Sequence, residues 1–505
     1  MRSSCVFFLL CLVVLLTGCG QKTTNTNRNV TIASFDSLSD SRYGVHANRI
    51  RRNIEALASQ DRDSMAADYR TRSYYSNGGL FLWIDRKGVD HRADTLVARL
   101  RSVSSMGFSL RKFCVGQIEK DLLAVRTLQS DGEELDYVFA RLEYCLTKAY
   151  LRYVAGQRFG YVNPTYVFNR LDTIEPARPD TLKRPVRYRG LFDIRMEHAS
   201  RVFFSEAMRK VRNDSVAAFL KEVQPHDELY EVLQKTLQNG LSKGERVKVL
   251  CNMERCRWRL ADTPQQHKRY VLVNIPSLHL MAIDHADTLT MRIGCGSNKT
   301  KTPLLTSWIK RMDVNPKWFI PRSIVEHDIL HHAGNRHYFE SRRFYVVERR
   351  TGKEVGLDQV SQAMLLDPAY AVVQRGGKGN SLGRIIFRFD NNFSVFLHDT
   401  SSRGVFQQAD RSVSHGCVRV EKPYELAEFL MGRGQDTLKE KVRYCMEADS
   451  IVDRSKVVGS IKVEPEVPIF ITYYTLYRMA SGRMVEYPDI YGYDQVIYRG
   501  LLNFI

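Results

Sequence analysis

The chain has 505 residues, with 75 Lys and Arg against 56 Asp and Glu, and a formal net charge of +19. Its length predicts two or three domains and leaves ample chain for a hydrophobic core. The basic residues are scattered, which favours a solvated basic surface suited to an anionic polymer. No Cys-x-x-Cys pair occurs, so the sequence does not support a thiol-exchange enzyme or a zinc ribbon.

The first residues, MRSSCVFFLLCLVVLLTGCG, have the layout of a secretory signal. Arg2 supplies the basic start, and Val6–Leu16 is an apolar run too short to span a bilayer comfortably. Because Cys19 follows Leu-Thr-Gly, the stretch resembles the bacterial lipobox, which implies a signal peptide over 1–18 and a lipid on Cys19. A plain cleaved signal with an unmodified Cys19 is the alternative. The polar run that follows predicts a flexible tether over 19–40.

An exported, lipid-anchored chain would lie in the periplasm on an envelope membrane, and the lack of an acidic residue after Cys19 favours the outer membrane. Export argues against a nucleic-acid partner. Seven cysteines lie beyond Cys19, an odd number, so at least one thiol stays free or pairs between chains. Cys251 and Cys256 are five residues apart in a predicted helix, and a rise of about 7.5 Å exceeds disulfide reach.

Apolar residues at three- and four-residue spacing predict a mainly helical first half. The pattern covers residues 45–59, 142–157 and 214–238, and Pro225 predicts a break within the last of these. We therefore expect a helical scaffold domain over 41–262.

The pattern changes at Arg269, where short apolar and β-branched runs divided at Pro276 and at 284–287 predict a meander of strands. Residues 382–400 repeat this form, with Asp390-Asn391-Asn392 as the turn of a hairpin that ends near His398. A helix should follow from Pro423, because proline suits the first helical turn.

The stretch DRSVSHGCVRV contains Cys417, and eighteen residues separate this cysteine from His398 in HDT. A lone cysteine in a strand-rich domain is usually a small buried hydrophobe, and a histidine at a strand end is usually structural. HDT and SHGCVRV at this spacing, however, resemble the catalytic motif of L,D-transpeptidases of the YkuD type. The resemblance extends to the large YcbB-like subfamily through NMERCRW, YVLVNIPSLHL, KTPLLTSWIKRMDVNPKWFIPRSI, NSLGRIIFRF, VPIFITYYTLY and YPDIYGYD.

The resemblance implies that Cys417 is a nucleophile that stores the acyl group as a thioester. His398 would lower the pKa of the thiol, take its proton and return it to the leaving amine. Asp399 matches the family position whose backbone carbonyl orients the imidazole.

Ser414, His415 and Gly416 form the tight turn before Cys417, which can direct backbone N–H groups at the developing oxyanion. The side chain of His415 either lines this oxyanion site or braces the turn. Arg419 is similar to a family residue at the edge of the site, where a substrate carboxylate is its natural partner. A surface ion pair is the alternative for Arg419.

His327 and His331 are four residues apart and would share one helix face, as zinc ligands do. No glutamate stands in the HExxH arrangement and no third ligand is evident, so we expect no metal. The resemblance implies no organic cofactor. In YcbB-like enzymes this region belongs to a mobile lid over the active site, which we expect over about 325–372.

The chain departs from the subfamily at three places. Only a short segment separates PHDELYEVL from NMERCRW, so the peptidoglycan-binding module that many members insert there is absent from the sequence. Phe396 replaces a tyrosine two residues before His398, and QRGGKGN replaces an expected Pro-Gly. The last two changes affect the expected substrate selectivity.

We therefore expect a multi-domain α+β protein. A helical N-terminal scaffold would be followed by a β-rich YkuD-like catalytic domain over 263–445, with the lid as an insertion, and by a C-terminal segment, 446–505, that packs on the catalytic domain. Its partners would be peptidoglycan stem peptides, a donor tetrapeptide and an acceptor amine, joined as a 3-3 cross-link after release of D-Ala. The alternatives are an L,D-carboxypeptidase, attachment of a protein to the wall, and a non-enzymatic wall scaffold.

Overall fold

The computed structural model describes residues 45–85, 88–127, 130–174, 185–448, 453–479 and 482–505. The predicted signal peptide, Cys19 and the predicted tether lie outside these residues. Within the described part of the chain, no helix combines the length and the apolar character that crossing a membrane requires.

The chain divides into two compact units. The first unit runs to Tyr161 and adds His198–Arg259 and Gly500–Ile505, and the second comprises Val162–Glu197 and Leu260–Arg499. The prediction of a helical first region and a β-rich second region is confirmed. The boundary differs from the predicted one, because residues 162–197 belong to the β-rich unit.

The first unit is helical, as the apolar spacing predicts. Its described α-helices are Ala47–Gln60, Ala66–Ser76, His91–Arg101, Val115–Thr127, Leu135–Phe159, Arg201–Arg212, Val216–Glu222, Glu228–Thr236 and Lys243–Arg257. Two 3-10 helices, Ser102–Met106 and Leu110–Phe113, and two short strands, β1 (Ile84–Asp85) and β2 (Gly88–Val89), complete it. The predicted break at Pro225 lies between the helices that end at Glu222 and begin at Glu228.

The helix Leu135–Phe159 is buried along most of its length. Its Glu143 is fully buried and accepts hydrogen bonds from the backbone N–H groups of Leu82, Trp83 and Ile84, at 2.5, 2.9 and 3.1 Å. Burial raises the pKa of Glu143, and these donors oppose the rise. A buried carboxyl group thus holds the segment that leads into β1.

The second unit contains the remaining sixteen described strands. They are β3 (Phe192–Asp193), β4 (Arg269–Asn274), β5 (His279–Asp284), β6 (Asp287–Gly296), β7 (Leu304–Val314), β8 (Trp318–Phe319), β9 (Phe344–Glu348), β10 (Glu354–Val355), β11 (Tyr370–Gln374), β12 (Ile385–Phe389), β13 (Leu397–His398), β14 (Ser412–Ser414), β15 (Val418–Val420), β16 (Ser460–Thr472), β17 (Leu476–Arg478) and β18 (Met484–Glu486). Its α-helices are Pro164–Phe168, Arg322–Ile324, Arg336–Ser341, Gln362–Leu366, Pro423–Met431, Asp436–Glu447 and Tyr493–Leu501.

The large sheet has the strand order β12-β13-β15-β6-β5-β4-β16-β7-β3, with β14 beside β6. Because β7 also pairs with β12, the path of hydrogen-bonded strands closes on itself. The strands β4, β5 and β6 form the predicted antiparallel meander. The helix Pro423–Met431 begins with its proline, as predicted.

The C-terminal segment contributes one strand to the large sheet. Its strand β16 lies between β4, to which it is parallel, and β7, to which it is antiparallel. The run VPIFIT is buried throughout, which is typical of a strand covered on both faces. β16 is therefore an internal strand of the large sheet, whereas β17 and β18 form a separate two-stranded sheet.

Residues 318–374, which contain the predicted lid insertion, form a small subdomain (the lid subdomain) with its own sheet, in the order β10-β9-β11-β8. It has a separate buried core of Ile320, Val325, Ile329, Phe339, Phe344, Val346, Val360, Leu365 and Val372. The backbone is a π-helical turn over Val325–Ile329 and a 3-10 turn over Leu330–His332. His327 and His331 therefore do not lie on one regular α-helix, and no group of three metal-ligating side chains gathers in the residues that the structure describes.

Candidate active site

Two adjacent parallel strands bring the predicted catalytic residues together. In the register of β13 and β15, Leu397 lies opposite Val418 and His398 lies opposite Arg419. The N–H of Val418 donates to the carbonyl of Phe396 at 3.1 Å, which carries the pairing back to Cys417. Leu397 and Val418 are fully buried on one face. Because side chains alternate along strands, His398, Cys417 and Arg419 share the opposite face.

His398 is held in the form that a general base requires. Its side chain is 4% exposed, and its Nδ1 lies 2.5 Å from the carbonyl oxygen of Asp399. The carbonyl only accepts, so Nδ1 carries the proton and Nε2 keeps its lone pair. Burial, reinforced by the charge of Arg419, lowers the pKa of His398 to about 4. The imidazole is therefore neutral near pH 7.

Asp399 is itself fixed in place by its side chain. Its Oδ2 accepts from the N–H of Arg384 at 2.8 Å, and its Oδ1 accepts from Nη1 of Arg403 at 3.1 Å. Gly383, at φ +66°, makes room for this carboxylate, because a Cβ there would lie 2.4 Å from it. The carbonyl that orients His398 thus belongs to a residue whose side chain is held by two hydrogen bonds.

The thiol of Cys417 is half-buried, and its Sγ lies 4.0 Å from the carbonyl oxygen of Ser394. Burial raises the pKa of Cys417 to about 11, although the N–H of Phe396 and the charge of Arg419 oppose the rise. The prediction of a lowered pKa for this thiol is therefore wrong. Desolvation of Cys417 outweighs the N–H of Phe396 and the charge of Arg419. The resting pair is a neutral thiol beside a neutral imidazole.

The turn before Cys417 is braced by hydroxyl groups. Ser414 Oγ donates to the carbonyl of Cys417 at 2.6 Å and accepts from the N–H of Gly416 at 3.1 Å. Gly416 has φ +119°, a conformation that favours glycine. Because its N–H is engaged by Ser414, the N–H groups of His415 and Cys417 are the better candidates for an oxyanion site.

Three bracing residues were missed by sequence reasoning. Thr300 Oγ1 donates to the carbonyl of Ser414 at 2.7 Å, and Thr302 Oγ1 donates to the carbonyl of Gly416 at 2.9 Å. Tyr491 donates to the carbonyl of Gly296 at 2.6 Å and accepts from the N–H of Thr302 at 3.2 Å. Thr300 and Thr302 lie in NKTKTP and Tyr491 in YPDIYGYD, and no local pattern links either segment to the turn.

Replacing Thr302 with valine is expected to destabilise the second unit and to slow the acylation of Cys417. The hydroxyl is buried, and it also accepts from the N–H of Gly296 at 2.8 Å. Its loss leaves two buried backbone groups without partners, at a cost of about 1–3 kcal/mol each. We expect a lower unfolding midpoint and slower acylation of Cys417, with recovery in Thr302→Ser, which keeps the hydroxyl. Equal behaviour of the valine variant and the parent protein would contradict this role.

The side chain of His415 faces the lid rather than the turn. It is 56% exposed, and its Nε2 lies 3.5 Å from Oδ2 of Asp328 in the lid subdomain. Neither predicted role, lining the oxyanion site or bracing the turn, describes this placement. The hydroxyl groups of Ser414, Thr300 and Thr302 brace the turn, because each donates a hydrogen bond to a backbone carbonyl of residues 414–417.

The guanidinium of Arg419, on the strand face shared with His398 and Cys417, has a buried donor that lacks a hydrogen-bond partner. Its Nε is buried and has no hydrogen-bond partner among the described residues. Burial lowers the pKa of this guanidinium, and only the charge of Cys417 as a thiolate opposes the effect. A buried donor without a partner is costly, and a carboxylate would satisfy it. This environment favours substrate binding over a surface ion pair.

Comparison with known proteins places these residues in a family. Residues 268–458 match the YkuD family, described as the L,D-transpeptidase catalytic domain, and residues 68–237 match a family described as the Scaffold domain. Residues 268–458 are therefore similar to YkuD L,D-transpeptidase catalytic domains, and the combination with a Scaffold domain is the YcbB-like arrangement. The predicted resemblance is confirmed.

A relative from Haemophilus influenzae is named "Putative L,D-transpeptidase". It is 27% identical over 307 residues, which cover 58% of this chain and 58% of that protein. The chain thus spans less than two thirds of that relative's length.

Proposed function

We propose that this protein is a peptidoglycan L,D-transpeptidase that forms 3-3 cross-links through a thioester on Cys417. The observation that best supports this function is the shared strand face of Cys417, neutral His398 and Arg419 within the YkuD domain. A nucleophile, a base and a carboxylate-binding group within two strands are what acyl transfer from a stem peptide requires.

In the first half-reaction, Cys417 Sγ attacks the carbonyl of the third residue, a diamino acid, of the donor tetrapeptide. Because the thiol is neutral at rest, its proton moves to His398 Nε2 as the carbon–sulfur bond forms. The negative charge on the carbonyl oxygen is met by backbone N–H groups of the turn. The bond to D-Ala then breaks, and His398 returns the proton to the departing amine.

In the second half-reaction, the side-chain amine of another stem attacks the thioester. His398 takes a proton from the attacking nitrogen, Cys417 leaves as a thiolate, and His398 returns the proton to its sulfur. The product is a 3-3 cross-link and the free enzyme. Water in place of the amine gives an L,D-carboxypeptidase, and a protein amine gives attachment of that protein to the wall.

The acceptor that the protein uses is identified by mass spectrometry of the muropeptides that the purified protein makes from a tetrapeptide substrate. The proposed reaction gives a cross-linked dimer that has lost one D-Ala. Tripeptide without dimer would replace the proposal with carboxypeptidase activity, and no product would favour the non-enzymatic scaffold.

Arg419→Gln is expected to remove a preference of Cys417 for anionic reagents. Iodoacetate and iodoacetamide alkylate the same sulfur, but only iodoacetate has a carboxylate for the guanidinium. A hydrogen bond to a charged group contributes about 1.5–3 kcal/mol, so the iodoacetate-to-iodoacetamide rate ratio should fall roughly tenfold to a hundredfold. Arg350→Gln, in the exposed part of the lid, is the control. An unchanged ratio in Arg419→Gln would show that Arg419 does not receive the carboxylate.

We also propose that Cys19 bears a lipid that anchors the protein to an envelope membrane facing the periplasm, with the outer membrane favoured. This proposal rests on the Leu-Thr-Gly-Cys sequence alone. We expect Cys19→Ser to move the protein from the membrane fraction to the soluble periplasmic fraction. Continued membrane association in that variant would reject the lipid anchor.

A further inference from the structure

A second arginine lies on the strand face that carries His398 and Cys417. In the antiparallel register of β12 and β13, Ile386 lies opposite His398. Arg388 follows Ile386 by two positions along β12, so the side chains of these two residues point to the same face. The strand order β12-β13-β15 places Arg388 and Arg419 on the two strands that flank the strand of His398. The proposed catalytic pair therefore has a guanidinium on each side.

An aromatic ring lies between Arg388 and the imidazole of His398. The guanidinium carbon of Arg388 is 5.6 Å from the centre of the Phe396 ring, and that centre is 5.8 Å from the centre of the His398 ring. A guanidinium is attracted to the face of an aromatic ring. Phe396 is half-buried, and so its ring provides a supported surface for the guanidinium of Arg388 beside the active site.

Asp313 holds Arg388 by one nitrogen and leaves the others available. Nε of Arg388 donates to Oδ2 of Asp313, and Nε of Arg311, opposite Arg388 in β7, lies 3.0 Å from Oδ1 of the same carboxylate. Within the part of the chain that the structure describes, no hydrogen bond reaches the Nη atoms of either arginine. The next cation along this row, Lys462 in β16, is paired with Glu464. One carboxylate thus serves two guanidinium groups, which leaves a net positive charge.

The sheet is open to solvent on the side of these two arginines. The side chain of Arg388 is 39% exposed and that of Arg311 is 52% exposed. Phe387 and Met312, which precede and follow them in the paired strands, are fully buried on the opposite face. One face of this part of the sheet therefore belongs to the hydrophobic core, and the other presents guanidinium groups to a ligand.

We propose that Arg388 binds a carboxylate of the acceptor substrate, on the carbon that carries the attacking amine. The inference rests on the proposed function, in which an amine attacks the thioester on Cys417. Two substrates must meet at this one sulfur, and Arg419 accounts for a carboxylate on one side of His398, which leaves Arg388 for a carboxylate on the other. A guanidinium holds a carboxylate through two parallel hydrogen bonds, which would direct the neighbouring amine. Arg388 exchanges no proton, because His398 takes the proton of the amine.

The test compares two acceptors that differ in their negative charge. Glycine and glycinamide are offered together to the full chain with a tetrapeptide donor, and mass spectrometry measures the two products, the donor tripeptide joined to each acceptor. We expect Arg388→Gln to lower the ratio of glycine product to glycinamide product about threefold to tenfold, an effect limited by the partial exposure of the guanidinium. Because both acceptors compete in one reaction, the amount of active protein does not affect the ratio.

Arg443→Gln is the matched control. The guanidinium of Arg443 lies 4.6 Å from the centre of the Tyr424 ring and 3.8 Å from Oε1 of Glu428, so it has the same two kinds of contact as Arg388. It belongs to the helix Asp436–Glu447 rather than to the sheet, and its variant should keep the ratio of the parent protein. Arg388→Lys, which keeps the charge, should keep part of the preference for glycine.

Release of D-Ala, measured in the same reactions, separates this inference from the proposed function. D-Ala release with an unchanged product ratio in Arg388→Gln would overturn the role of Arg388 and leave the proposed function in place. An equal fall in Arg443→Gln would reveal a general effect of charge and would also overturn it. Arg311→Gln should lower the ratio less than Arg388→Gln, and a larger fall would place the carboxylate at Arg311 instead. No release of D-Ala by the parent protein would reject both proposals.

Discussion

Replacing Cys417 with alanine is expected to abolish acyl transfer while the protein remains folded. The substitution removes one half-buried sulfur, and the neighbouring Val418 continues to pair with Phe396. Loss of a catalytic nucleophile costs roughly 10⁴–10⁶-fold in rate. The measurement is the rate of dimer formation from a tetrapeptide, together with the mass of the protein after exposure to a carbapenem, which we expect to acylate the same sulfur.

The matched control for this experiment is Cys445→Ala, which removes a buried thiol from the same unit. It should keep both turnover and the carbapenem adduct, even if its unfolding midpoint falls. Turnover by Cys417→Ala, with an unchanged unfolding midpoint, would mean that the nucleophile lies elsewhere.

His398→Ala and His415→Ala should have effects of different kinds. Without His398, the thiol has no base, and general-base catalysis contributes about 10²–10⁴-fold. Because burial raises the pKa of Cys417 to about 11, the thiolate fraction in His398→Ala grows tenfold with each pH unit below that value. The reaction of this variant with a carbapenem should therefore be slow at neutral pH and accelerate steadily toward alkaline pH.

His415→Ala should retain the pH profile of the parent protein. Its exposed imidazole lies beside Asp328 in the lid, so its removal affects only that contact and not the proton of Cys417. Adduct formation against pH, measured for both variants and the parent, separates the two residues. Alkaline rescue of His415→Ala, with none in His398→Ala, would exchange the two roles.

Much of the second unit is predictable because its signals are local. The meander over β4, β5 and β6 follows from alternation and from breaks at Pro276 and at 284–287. The approach of His398 to Cys417 was predicted from motif spacing, and the parallel register of β13 and β15 supplies its physical cause.

The features that were missed depend on distant partners or on burial. The position of β16 beside β4 and the hydroxyl of Thr302 under Gly416 join segments that no spacing relates. The raised pKa of Cys417 arises from desolvation, which depends on the whole fold rather than on the neighbouring histidine. His415 was assigned to the turn by its position in the motif, but its side chain is placed by the lid.

The internal position of β16 also determines how late in synthesis the large sheet can be completed. Ile469 pairs with Val271, 198 positions earlier in the chain, so β4 and β7 lack the strand between them until Ser460–Thr472 has been made. Pairings over such separations form late, because the chain must first be confined over a long distance. When synthesis has just reached Cys417, the chain therefore contains the proposed nucleophile, but the large sheet still lacks β16. The sheet that carries the proposed nucleophile is therefore complete only after β16 has been made.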